Sequence, residues 1–418
     1  VTAAFGVNGL CFAAWLSRTP AVRDALALSP AGLGLLLLCL SGGACLGLPL
    51  AGPLVQRYGT ARIVLGGAML TAVGLTGLAV GIGTRQREPA AVGLLLTGLG
   101  MSSWDVSMNV AGAEVERGLG RSLMPRLHAA FSLGTVAGAG VGAFTAAYGI
   151  PVPIPILGAV ALAPVTMAVA VRGFPAHDAT TDDSRSDERP DTRPDGRADP
   201  DTRSDGRAEP DGRAAPDVSS AWREPRTLAI GLLTLCFAFT EGTANDWLAV
   251  ALVDGHHSSE VLGAIGYGVF LAAMTVTRVT GGAALDRFGR VAVLRLTAGF
   301  ALLGLLLVII GPGPGWALAG AALWGVGAAL GFPVGMSAAS DDPTRAAARV
   351  GVVSAVAYTA FLGGPPLIGF LAERVGILWS LLVVLVALLV GLFVSRAAEV
   401  PGPAGAPGTP AGRRRRRR

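Results

Sequence analysis

Lysine is missing from this 418-residue chain, and its whole complement of 33 basic residues is arginine. Without lysine there is no Gly-x-x-x-x-Gly-Lys phosphate loop, so nucleotide-driven transport by this chain alone is excluded. With the surplus of alanine and glycine, the bias reads as a GC-rich genome and carries no function. Cysteine is scarce: Cys11, Cys39, Cys45 and Cys236 all lie inside apolar runs, without metal-type spacing. They read as small buried hydrophobes, and neither a disulfide nor a zinc site is implied. Histidine is equally sparse, and His128, at a helix end, is the one intramembrane candidate. No nucleophile with a base accompanies it, which argues against an enzyme and against any cofactor. Charge is low overall, at 15% against about a quarter in soluble domains.

Hydrocarbon is what the chain has in quantity, with 52% hydrophobic residues and a mean hydropathy of +0.57. Of its 28 acidic residues, 13 fall between Asp178 and Asp217, leaving the remainder almost uniformly compatible with lipid. Crossing about 30 Å of hydrocarbon takes roughly 20 apolar residues as helix, because open backbone cannot be satisfied there. Twelve such runs can be cut, at Val1–Leu16, Ala31–Val55, Ile63–Ile82, Ala90–Gly112, His128–Tyr148, Pro151–Val171, Leu228–Val253, Val261–Ala284, Val291–Ile310, Trp316–Ala338, Val350–Leu371 and Ile377–Phe393. The first begins at residue 1 without the basic head of a signal peptide, and an upstream start codon is one reading of it.

The runs repeat. Gly52-Pro-Leu-Val-Gln-Arg-Tyr-Gly59 returns 230 residues on as Gly282-Ala-Ala-Leu-Asp-Arg-Phe-Gly289, each copy closing one apolar run and opening the next. Ser29-Pro30 and Ser259-Glu260, at the same offset, read as N-caps of corresponding helices. Gly98-Leu-Gly100 and Gly325-Val-Gly327 align at an offset of 227. Two related membrane halves in parallel repeat follow, an arrangement typical of carriers. Arginines in short loops favour one side nine to five, which places both termini in the cytoplasm.

Domain limits follow from composition: a six-helix bundle over 1–172, a linker over 173–226, a second bundle over 227–396 and a tail over 397–418. The linker carries a ten-residue repeat, Pro190-Asp-Thr-Arg-Pro-Asp-Gly-Arg-Ala-Asp199 and its successor, which lacks core-forming residues and reads as a disordered tether. The run Arg413–Arg418 suits acidic lipid headgroups better than nucleic acid, an incidental low-complexity tail being the other reading.

With twelve helices, two halves, a long central loop and the repeated turn, the chain resembles the major facilitator superfamily. Gly282 to Arg290 fits its pattern Gly-x-x-x-Asp-Arg-x-Gly-Arg, while the first copy carries Gln56 and Thr60 in place of the acidic and basic residues. Gly369-Phe-Leu-Ala-Glu-Arg-Val-Gly376 is a third echo. Trp15-Leu-Ser-Arg-Thr-Pro20, Asn245-Asp-Trp247, Gly331-Phe-Pro333, Ser337-Ala-Ala-Ser-Asp341 and Gly363-Gly-Pro-Pro366 are similar to a bacterial branch that includes rhizopine transporters. The resemblance implies an all-α integral membrane fold, two pseudo-symmetric six-helix bundles, with helices 1, 4, 7 and 10 around a central cavity. It also implies a cytoplasmic gate built from Gly52, Arg57, Gly59, Gly282, Asp286, Arg287, Gly289 and Arg290.

Carboxylates within such helices are costly when ionised and unpaired, so Asp105, Glu241 and Asp246 are the candidate substrate or proton-coupling residues. Asn245 lies one turn beyond Glu241, and Ser102 and Asn109 flank Asp105 at helical spacing. The alternative for each is a carboxylate satisfied by Asn, Thr or an Arg of a neighbouring helix. Trp104 and Trp324 suit either stacking on a ring or packing. Arg278 is expected to snorkel to the inner interface. Glu114 and Asp341, near Arg117 and Arg345, are expected as gate salt bridges, and Gly331-Phe-Pro333 and Pro365-Pro366 as helix breaks serving as hinges.

The reading is a secondary carrier in a bacterial plasma membrane, a monomer coupling protons to a small polar organic solute such as a sugar, polyol or amine. An acidic cavity without a central cation favours neutral or cationic solutes. Drug or metabolite efflux by proton antiport is the alternative, and a membrane sensor the non-transport alternative. No metal or nucleic acid partner is expected.

Overall fold

The computed structural model describes residues 1–120, 123–174, 218–342 and 344–400, and no strand occurs among them. The main helices are α1 (Thr2–Leu16), α2 (Pro30–Tyr58), α3 (Thr60–Thr84), α4 (Arg87–Leu119), α5 (Met124–Ala147) and α6 (Pro153–Ala170) in the first half. The second half has α7 (Pro225–Val250), α8 (Glu260–Phe288), α9 (Arg290–Ile310), α10 in two pieces (Pro314–Ala328 and Gly331–Ala339), α11 (Ala346–Val375) and α12 (Leu382–Val394). Ten of these spans are long and apolar enough to cross a membrane; α1, at 15 residues, is a shorter apolar helix. The apolar span around α12 is 33% buried and that of α7 67% buried. Hydrocarbon thus faces outward on α12, while α7 turns its surface to other helices.

The two halves repeat in space as they do in sequence. In the first, α4 packs against α3 and α2, and α1 against α5 and α6; in the second, α10 packs against α9 and α8, and α7 against α11 and α12. Two seams join the halves, α2 against α11 and α5 against α8, again related by the repeat.

Local chemistry explains the matching ends. Ser29 and Ser259 both adopt extended backbone, and their hydroxyl oxygens accept from the amides of Gly32 and Leu262, capping α2 and α8 alike. The turns after α2, α8 and α11 are made by Gly59, Gly289 and Gly376 at φ 80°, 77° and 83°, a region open to glycine and closed to most side chains. The third echo in the sequence is therefore a third copy of the same turn. Arg57 and Arg287 each lie over the ring of the next residue, Tyr58 or Phe288, at 5.3 and 5.2 Å.

Of the two expected helix breaks, one forms and the other does not. The helix breaks at Ala329–Leu330, just before Gly331-Phe-Pro333, whereas α11 runs unbroken through Pro365 and Pro366. Of the segment read as linker, 175–217 lies outside the described residues, but Val218–Ala221 is helical and α7 already starts at Pro225. Arg226 is anchored, donating to Asp341 and to the carbonyls of Ala397 and Glu399. Of the tail, 401–418 lies outside the described residues.

Candidate functional site

Glu241 and Arg278 meet where α7 faces α8. One guanidinium nitrogen of Arg278, Nη2, reaches both carboxylate oxygens of Glu241, at 2.9 and 2.8 Å. Its Nε donates to the carbonyl of Ala329 at 3.1 Å. That carbonyl is free because the residue four positions on is Pro333, which has no amide hydrogen to give it. The break in α10 thus creates an acceptor, and the acceptor holds the arginine against the carboxylate. Arg278 does not run to the inner interface as expected, and the cavity is not without a central cation.

The other two carboxylates have no cation partner among the described residues. Asp105 on α4 receives only a 3.4 Å contact from its own helix neighbour Asn109, whose amide also donates to the Asp105 carbonyl at 2.9 Å. Asp246, half-buried on α7, makes no hydrogen bond or ion pair among the described residues. Asn245 accepts from the hydroxyl of buried Tyr267 on α8 at 3.2 Å, a partner that sequence reading missed. Asp105 lies within electrostatic reach of Tyr358 on α11, and Arg278 of His128 on α5, so each of these groups has a polar neighbour in the other half.

The two tryptophans lie elsewhere. Trp104 is fully buried with Val64, Ala68, Ala159 and Met167, on the side of α4 turned to α3 and α6. Trp324 is fully buried too, edge-on to Phe270 at 6.1 Å and donating to the Thr240 carbonyl at 3.2 Å. Both rings are closed off from solvent, and the indole nitrogen of Trp104 has no hydrogen-bond partner among the described residues.

At the inner end the expected gate pairs are redrawn. Asp341 joins Arg290 at 2.7 Å and Arg226 at 2.8 Å, not Arg345, which pairs with Glu224. Among the described residues Glu114 and Asp286 form no ion pair, and a side-chain carbon at Gly52 or Gly282 would meet nothing within 4 Å. The described ion pairs of Asp341, Asp342 and Glu224 all stay inside the second half.

The pairs that cross between halves lie at the opposite end. Arg18, after α1, is buried and donates to Glu260 at the start of α8 at 2.8 Å and to Thr145 of α5 at 3.0 Å. Arg23 pairs with Asp254 beyond α7. Sequence reading treated these as loop arginines; the signal available was the presence of acids in the corresponding loops of the other half. Backbone of the two halves also comes close at the same end: a side-chain carbon on Gly34 would lie 2.6 Å from the Pro365 carbonyl oxygen, and one on Gly369 2.6 Å from that of Pro30. The molecule is clamped at this end and holds no described ionic link between halves at the other.

The family model of the Major Facilitator Superfamily matches residues 1–350 and 230–417. The chain belongs to the major facilitator superfamily. It is 31% identical over 375 residues to the uncharacterized transporter y4wD of Sinorhizobium fredii, covering 89% of this chain and 90% of that protein. It is 28% identical to the membrane protein MosC of Rhizobium meliloti, covering 94% and 87%. A mutant of the nucleoside transporter NupG superposes with a TM-score of 0.75 at 13% identity, covering 95% of this chain and 98% of that one. The fucose:proton symporter FucP of E. coli superposes with a TM-score of 0.54 at 16% identity, covering 94% and 98%. These superpositions establish the fold. The protein is a multi-pass membrane transporter of this superfamily and not an enzyme.

Proposed function

We propose that the protein is a proton-coupled secondary carrier for a small polar organic solute, working by alternating access between its two halves in a bacterial plasma membrane. All twelve main helices cross the membrane in this reading, the two bundles cover 1–172 and 227–396, and the termini are cytoplasmic. The single chain carries the whole route and acts as a monomer. The observation that supports the reading is the Glu241–Arg278 pair between α7 and α8, together with two further carboxylates within the helices, Asp105 and Asp246, that have no cation partner among the described residues. Two carboxylates without a cation favour a proton or a positively charged group as the balancing partner. Glu241 is neutralised by Arg278, so Asp246 and Asp105 are the proton carriers, and Glu241 controls Arg278. Neutral or cationic solutes fit the surplus of carboxylate. The clamped end is extracellular, so the protein is open to the cytoplasm, and Arg18–Glu260 and Arg23–Asp254 form the outer gate.

The test is pH-dye fluorescence in proteoliposomes challenged with pools of sugars, polyols, nucleosides and amines. Solute-dependent proton movement should be present in the wild type and lost in Asp246→Asn or Asp105→Asn. Solute uptake with no proton signal would replace coupling by uniport, and exchange of cationic drugs for protons would replace uptake by efflux.

A further inference from the structure

Arg295 and Arg396 line one groove of about 590 Å³ together with Leu389, Leu392 and Phe393. The two arginines come from different helices: Arg295 lies on α9 about one turn past Arg290, and Arg396 follows the end of α12. Both are exposed, and neither has a carboxylate partner among the described residues. Arg295 is held in place, its Nε donating to the hydroxyl of buried Ser395 at 3.2 Å, which leaves its two terminal nitrogens outward and unused.

Two uncompensated guanidiniums beside a hydrocarbon surface ask for a bivalent anion, and the surroundings identify its kind. Leu389, Leu392, Phe393 and Arg396 are spaced i, i+3, i+4 and i+7, so they share one face of the α12 end. From that face an exposed apolar stripe runs back along α12 through Leu389, Val386 and Leu382. A second runs along α9 through Leu296, Leu303, Leu306 and Ile310. Both stripes lead from the arginine pair toward the opposite end of the molecule, as acyl chains lead from a headgroup.

We propose that the cleft between α9 and α12 is a binding site for one anionic phospholipid of the inner leaflet. Its phosphate is held by Arg295 and Arg396, and its chains lie along the two stripes. The site lies on the outer wall of the second half, away from the Glu241–Arg278 pair. The proposal rests on the membrane reading above but not on proton coupling or on the solute.

The experiment is native mass spectrometry of the full chain, released from nanodiscs of mixed phosphatidylglycerol and phosphatidylcholine. The variant Arg295→Gln/Arg396→Gln and the single variant Phe393→Ala are run beside it. Wild type should retain phosphatidylglycerol over phosphatidylcholine, and the double variant should lose that preference roughly ten-fold or more, since each basic residue near an anionic surface contributes about a factor of five. Phe393→Ala, which keeps both charges, should retain the headgroup preference with weaker retention overall. Equal retention of the two lipids by wild type overturns the site, and so does an unchanged preference in the double variant, which would assign the preference to the Arg-rich tail. Suppression of the adduct by added inorganic phosphate alone, in place of competing lipid, assigns the arginine pair to a soluble anion and overturns the lipid.

Discussion

Arg278 of α8 holds Glu241 of α7 through one nitrogen and the Ala329 carbonyl of α10 through another, so three helices of the second half meet at a single guanidinium. The carbonyl is available only because Pro333 stands where its helical donor would be.

Breaking this pair from either side strands a charge in a half-buried place. Glu241→Gln and Arg278→Gln should each lower stability by about 2–4 kcal/mol, and the double variant should recover much of that, because neither partner is then left alone. Thermal unfolding in detergent, arranged as a double-mutant cycle, reads the coupling. Additive losses would mean that the contact carries no energy.

Pro333→Ala tests the anchor. The new amide hydrogen supplies Ala329 with its helical partner and competes with Arg278 Nε, so α10 should straighten while the grip on Glu241 loosens. Transport should fall while stability changes little, since Pro333 stands in the first turn of Gly331–Ala339, where a proline is tolerated and its removal gains little. Unchanged transport would separate the break from function.

In the proposed reading, the clamp of Arg18 and Glu260 sets the balance between conformations. Arg18 is almost wholly buried, so Glu260→Gln leaves its charge with only Thr145 and the Ile150 carbonyl as partners. The variant should shift the population toward an outward-open form by about ten-fold, equivalent to about 1.4 kcal/mol. Spin-label distances between the ends of α1 and α8 measure it, and an unaltered distribution would remove the pair from gating.

Gly34 offers a steric counterpart. A side-chain carbon there would fall 2.6 Å from backbone at Pro365, so Gly34→Val should prevent close approach of α2 and α11. The same distance measurement should show the clamped end opened. Wild-type distances would mean that the seam gives way elsewhere.

Glu224, just ahead of α7, should make stability depend on pH. Burial pushes its carboxyl up, but Thr227, Arg349 and Arg345 together hold it below the ordinary carboxylate range. A depressed carboxylate stabilises the fold above its unfolded pKa, and that contribution fades as pH falls through the folded one. Stability should therefore drop on acidification below about pH 4.5, the ordinary value, and Glu224→Gln should flatten that part of the curve. Parallel curves for the two proteins would show that other acids govern the loss.

The repeat, the helical class and the membrane character could be read from the amino acids, because each depends on local order: hydrocarbon run length, serine caps and glycine turns act within a few residues. Ser29 and Ser259 cap as their sequence context predicts, and Gly376 turns as Gly59 and Gly289 do. Asp105, Glu241 and Asp246 could likewise be picked out, since a carboxylate in hydrocarbon is conspicuous in any order. Their partners could not. Arg278 is 37 residues from Glu241, Glu260 is 242 from Arg18, and Trp104 turns away from the centre although it is the chain neighbour of Asp105. Those facts depend on which helix faces which and at what rotation, and helix packing settles that through glycine contacts and a proline-made gap that no single segment contains.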